Sequence, residues 1–159
     1  MTQAITGLIG VLLGATITGL ITYVATVRET RERARVRLAE ACVELLGALV
    51  DHRRHQYLKI AAVREHAPYE RLVALRELRY EARSSVSRAM ARVQMAGADT
   101  DLMNLAHDAV SATFILGDVA DEDALDPAGE IDEAELTARR DASLTTHDEL
   151  LRAAGLAVA

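Results

Sequence analysis

The 159-residue sequence has no tryptophan, one phenylalanine, one cysteine and two prolines. A single cysteine excludes a disulfide scaffold. So few aromatic side chains are too few for a platform that stacks single-stranded nucleic acid. Half the residues are apolar, with Ala, Leu and Val carrying most of that share, and this composition favours helix and disfavours strand. The length suits one modest domain. The expected fold class is all-α.

Charge is missing altogether from residues 4–27, AITGLIGVLLGATITGLITYVATV, a run of 24 residues. At about 1.5 Å per residue such a helix covers the roughly 30 Å hydrocarbon layer of a bilayer. Residues 1–27 are therefore expected to form a transmembrane anchor. A cleaved signal peptide is not expected, because MTQ has no basic side chain and the apolar run is too long. The next ten residues, RETRERARVR, hold five arginines and two glutamates. Arginines beside a span are retained on the cytoplasmic side. The expected topology is single-pass in the cell membrane, with the N-terminus outside and residues 28–159 cytoplasmic. Arg28, Arg31, Arg33, Arg35 and Arg37 form the membrane-proximal basic set, placed to meet anionic lipid.

Small residues mark one side of this span. Gly7, Gly10, Gly14 and Thr18, followed by Thr22 and Ala25, recur in steps of three and four. Gly10 and Gly14 make a GxxxG pair that lets two helix backbones approach closely, so a homo-oligomer through the span is expected. The hydroxyls of Thr6, Thr16, Thr18, Thr22 and Thr26 raise a second possibility, a narrow wet path through an oligomer, although threonine also bonds to its own helix backbone.

Beyond the span, Leu38, Cys42, Leu45, Leu49, His52, Gln56, Ile60 and Val63 recur at helical spacing, so the helix is expected to continue to about Glu65 with a polar middle at His52 and Gln56. Pro68 suits the first turn of a new helix, which places a break at residues 66–68. The next helix, about residues 69–96, carries Leu72, Leu75, Ala82, Val86, Ala89, Val93 and Ala96 on one face and ends at Gly97. Two long helices joined this way fold back as an antiparallel hairpin. Thr100 is the expected cap of a third helix bearing Leu102, Leu105, Ala109, Val110, Phe114 and Leu116, with Gly117 as its end. Residues 118–130, DVADEDALDPAGE, read as an acidic linker. A last helix begins near Ile131; Thr146 and Glu149 have capping-box spacing, so a restart there and one continuous helix both remain open. The domains are then an anchor (1–27), a basic hairpin with the third helix (28–117), the linker (118–130) and a C-terminal helix (131–159) packed on a small four-helix bundle. With so little aromatic volume, such a bundle gains from a second copy or a partner.

Charge is split along the chain. Residues 28–92 hold 15 basic and 9 acidic side chains, net +6, and residues 93–159 hold 3 and 15, net −12. Arg76, Arg79 and Arg83 make a basic ridge at helical spacing, and the acidic C-terminal half is the nearest source of carboxylates. Packing of that half on the ridge is the expectation, ahead of anionic lipid; nucleic acid is not an expected partner.

Chemistry-bearing motifs are scarce. His52 and His55 share a helical side in DHRRHQ, but no Glu-x-x-His or His-Glu-x-x-His pattern exists. Cys42 lies on an apolar face with no companion and reads as an inert buried thiol. There is no GxxxxGK[ST] loop and no GxSxG elbow. No catalytic, cofactor-binding or metal-binding residue is expected, nor any cofactor or enzymatic activity.

An uncharged N-terminal span, the RETRERARVR exit, an Ala- and Leu-rich hairpin and a terminal LTTHDELLRAAG helix together resemble small single-pass, membrane-anchored helical proteins of high-GC actinobacteria. Seventeen arginines against one lysine, Lys59, agree with that coding bias. The resemblance implies a membrane-tethered helical domain and transfers no active residue. The reading is a non-enzymatic, tethered interaction or scaffold module, coiled-coil in character and self-associating, with a protein partner besides the bilayer. The alternative is a small oligomeric pore former or a phage or plasmid accessory membrane protein.

Overall fold

A computed structural model describes the backbone of residues 2–120 and 130–158 and the side chains of residues 25–120 and 130–155. The described residues form four α-helices, α1 (Thr2–Arg64), α2 (Tyr69–Met95), α3 (Thr100–Ile115) and α4 (Glu133–Val158), with a 3-10 helix over Leu116–Ala120. Among the described residues there is no strand. The chain divides into two units, Met1–Val36 and Arg37–Ala159.

In the first unit, Arg28, Arg31, Arg33 and Arg35 are exposed. Arg33 pairs with Glu29 one turn earlier at 2.5 Å, and Thr30 Oγ1 donates to the carbonyl of Thr26 at 2.6 Å. Among the described residues no helix is long and apolar enough to cross a membrane. The expected span over residues 4–27 lies, up to residue 24, outside the described side chains.

The second unit is an antiparallel bundle whose order can be read from its cross-links. Along α1 and α2, Glu44 meets Arg92, Gln56 meets Arg79 and Glu65 meets Arg71, so the partner number falls as the α1 number rises. Between α1 and α3 both numbers rise, from Gln56 with Phe114 to Lys59 with Gly117. Against α4 the sense reverses again, with Arg53 at Ser143 and Arg64 at Glu133. The expected hairpin is therefore present and two further helices pack on it.

The main core gathers Cys42, Leu45 and Leu49 from α1, Val86, Ala89 and Val93 from α2, Leu102, Ala106 and Ala109 from α3, and Leu150 and Ala154 from α4. A smaller cluster joins Ile60 to Leu116, Val119, Ala120, Ile131 and Leu136. The α1 face read from periodicity is the buried one: Cys42, Leu45, Leu49, His52, Gln56 and Ile60 are all buried.

Helices α1 and α2 stop in the same way. The amide of Ala67 donates to Ala62 O and that of His66 to Val63 O; the amide of Ala98 donates to Val93 O and that of Gly97 to Gln94 O. Each is a paired closure around a left-handed residue. Gly97 takes it at φ +89°, as expected of a glycine, whereas His66 takes it at φ +49°.

Two local expectations need correction, and two readings of the last helix are refined. Asp99, not Thr100, caps α3, because its carboxylate accepts from the amide of Leu102 at 2.9 Å and a carboxylate also suits the positive helix end. Gly117 does not terminate α3; it is buried inside the 3-10 helix. The last helix starts at Glu133, where Asp132 accepts from the amides of Ala134 and Glu135. No restart occurs at Thr146, whose hydroxyl donates back to Ala142 O within a continuous α4.

Candidate functional site

Halfway down the bundle the apolar core gives way to a polar belt. His52, Arg53 and Gln56 of α1, Thr113 of α3 and Ser143 of α4 are all buried. His52 and Gln56 share a face because they are one turn apart. The amide nitrogen of Gln56 donates to Phe114 O at 3.3 Å and lies 3.0 Å from His52 Nε2. Arg79 Nη1 donates to Gln56 Oε1 at 3.5 Å, which fixes the amide orientation. An amide nitrogen only donates, so His52 Nε2 accepts and its proton sits on Nδ1. That Nδ1 is buried without a partner.

Phe114, the only phenylalanine in the chain, closes this corner. His52 meets its ring edge-on at a centroid distance of 4.9 Å, and the Arg83 guanidinium lies 4.5 Å from the ring centre. Such a cation–π contact contributes about 0.5–1 kcal/mol at an exposed site. Gly117 lies against the Gln56 amide so closely that a Cβ there would overlap it. A small cavity of about 40 Å³ remains, lined by His52, Gln56, Arg79, Arg83, Phe114 and Asp118, among others.

The second arm of the belt crosses to α4. Arg53 donates to Ser143 O at 3.5 Å and to His147 Nδ1 at 3.4 Å. The hydroxyls of Thr113 and Ser143 are bonded at 3.1 Å. Arg53 thus buries its guanidinium against a carbonyl and an imidazole; no carboxylate of the described residues pairs with it.

Electrostatics keep the belt's imidazoles neutral. Burial, reinforced by Arg79, Arg83 and His55, pushes His52 down to about 4. The hydrogen-bond pattern agrees, since a protonated His52 would turn an N–H toward the Gln56 amide. His147 is lowered by burial and by Arg53, with Asp148 opposing. Burial raises the Cys42 thiol, which disfavours the thiolate a nucleophile requires. Among the described residues no group of three or more His, Cys, Asp and Glu side chains is placed to hold a metal ion.

The described residues show part of what meets the basic ridge. Arg79 and Arg83 face Gln56 and Phe114, and both Arg76 and Arg83 are exposed. Among the described residues no ion pair joins Arg76, Arg79 or Arg83 to the acidic half; Asp118 lines the same cavity as two of them. Arg64 pairs with Glu133 of the acidic half, and Arg92 pairs with Glu44 of its own half. Helical spacing places three arginines on one face but cannot name what meets that face. The membrane-proximal Arg28, Arg31, Arg33, Arg35 and Arg37 are exposed. Gly7, Gly10, Gly14 and Thr18 lie outside the described side chains. The polar middle at His52 and Gln56 was visible in the helical pattern; Arg53, Thr113, Gly117, Ser143 and His147 carried no such signal.

Residues 39–158 match the family model described as KilB plasmid transfer protein. The chain belongs to the KilB family. The match takes in α1 from Ala39 onward, all of α2 and α3, and α4, so the polar belt and both core clusters of this KilB family member lie inside it. No curated protein matches the chain, and no solved structure does.

Proposed function

We propose that this KilB family member serves plasmid transfer as a non-catalytic helical interaction module held at the cell membrane. The family match over residues 39–158 carries the plasmid-transfer part of this reading. The tether rests on the 24 uncharged residues 4–27 and the five arginines that follow. In this reading the span is single-pass and leaves the Arg37–Ala159 bundle in the cytoplasm. The exposed Arg28, Arg31, Arg33 and Arg35 add about 1 kcal/mol each where the surface is anionic.

The bundle's chemistry supports a binding role over a catalytic one. Burial lowers His52 and His147, the thiol is buried, and several buried polar groups bond to one another. Buried hydrogen bonds of this kind, from Gln56 to His52 and between Thr113 and Ser143, help specify one helix arrangement.

Plasmid transfer between cells tests the reading. Deleting the gene from the donor plasmid should reduce transfer, and the full chain supplied in trans should restore it. A variant lacking residues 2–27 should fold, leave the membrane fraction and fail to restore transfer. Unchanged transfer after deletion would overturn the role, and full restoration by the anchorless variant would overturn the tether.

A further inference from the structure

In the Arg37–Ala159 unit, the outward face of α1 carries Glu40, Val43, Gly47, Val50, Arg54 and Tyr57, spaced by alternating steps of three and four. This is a seven-residue repeat, the period of a seam between two helices. All six residues are exposed, Val43 by 70 % and Val50 by 49 %. The opposite face of α1 already fills the core with Cys42, Leu45 and Leu49, so the stripe is not an unfilled part of that core. Val50, Arg54 and Tyr57 also line an open groove.

Gly47 stands at the centre. Glycine inside a helix is destabilising relative to alanine, and a Cβ at Gly47 would meet nothing within 4 Å. No neighbour within the chain therefore requires the small residue. The residues on either side of it are self-complementary. Val43 precedes Gly47 by four residues and Val50 follows it by three, while Glu40 and Arg54 stand seven residues away in opposite directions. Neither Glu40 nor Arg54 takes part in an ion pair among the described residues.

We propose that this face docks on the same face of a second copy, with the two α1 helices antiparallel and crossing at Gly47. Val43 then packs on the partner's Val50, and Glu40 lies beside the partner's Arg54. The two-fold axis repeats both contacts, as an isologous interface requires. Glycine at the crossing lets the backbones approach closely. A parallel pair would instead set Glu40 against Glu40 and Arg54 against Arg54, like charges that oppose association. The inference stands on α1 alone, so its failure leaves the plasmid-transfer reading untouched.

Disulfide mapping on the full chain in detergent tests the register, with the unmodified chain and its buried Cys42 as control. A Glu40→Cys copy mixed with a differently tagged Arg54→Cys copy should cross-link, and Gly47→Cys should cross-link to itself. Glu40→Cys alone should not. In sedimentation, E40R or R54E alone should weaken association about tenfold or more, and the double reversal should restore most of it. All these positions are exposed, and circular dichroism will confirm that each variant folds. Self-linking of Glu40→Cys, association indifferent to both reversals, or a monomeric chain would each overturn the proposal.

Discussion

The amide oxygen of Gln56 occupies the space that a Cβ on Gly117 would need. Gln56 cannot simply swing away, because its amide is held by Arg79, Phe114 O and His52. Gly117→Ala should therefore destabilise the bundle by about 1–3 kcal/mol, the cost of leaving a buried polar group unsatisfied. Denaturant unfolding of both chains measures it. In a Gln56→Ala background the same substitution should cost much less, since contacting residues couple. Equal costs in the two backgrounds would refute the contact.

Stability should fall as pH drops through the range set by His52. Its folded value of about 4 lies below the ordinary 6.5, so the unfolded chain takes up a proton first. The contribution is complete above about 6.5, declines as pH falls toward 4 and is flat below that. Its full size is about 3 kcal/mol. His52→Gln keeps an acceptor for the Gln56 amide and removes the titration. Unfolding free energies between pH 7 and 4 should converge for the two chains, and parallel curves would contradict the account.

His66 holds a left-handed backbone that costs a side-chain-bearing residue roughly 1–2 kcal/mol. His66→Gly should raise stability by up to about 1 kcal/mol, part of the relief being offset by the greater freedom of glycine in the unfolded chain. Gly97→Ala, at the matching closure of α2, should lower stability. Thermal unfolding of both variants checks the pair, and shifts of the same sign would contradict it.

Periodicity made the helices legible. The buried residues of α1 and α2 follow the expected steps, and the break at Pro68 and the stop at Gly97 stand where local backbone chemistry places them. Caps were less legible, because aspartate and threonine side chains can both cap a helix and only geometry picks Asp99 over Thr100. The belt was half legible. Polar residues at 52 and 56 interrupt an apolar stripe, but their partners at Phe114 and Gly117 lie 58 or more residues away, and a spacing rule does not reach that far. The ridge was legible only as three arginines on one helix face, not as what meets that face. Net charge suggested a carboxylate partner, whereas Arg83 found a phenylalanine ring.

A reporter fused after Ala159 tests the central claim, that the chain is held in the membrane with its bundle on the cytoplasmic side. The account predicts that the fusion stays in the membrane pellet after alkaline extraction, that a reporter working only in the cytoplasm is active, and that one working only after export is silent. An active exported reporter, or release of the fusion by alkali, would contradict it.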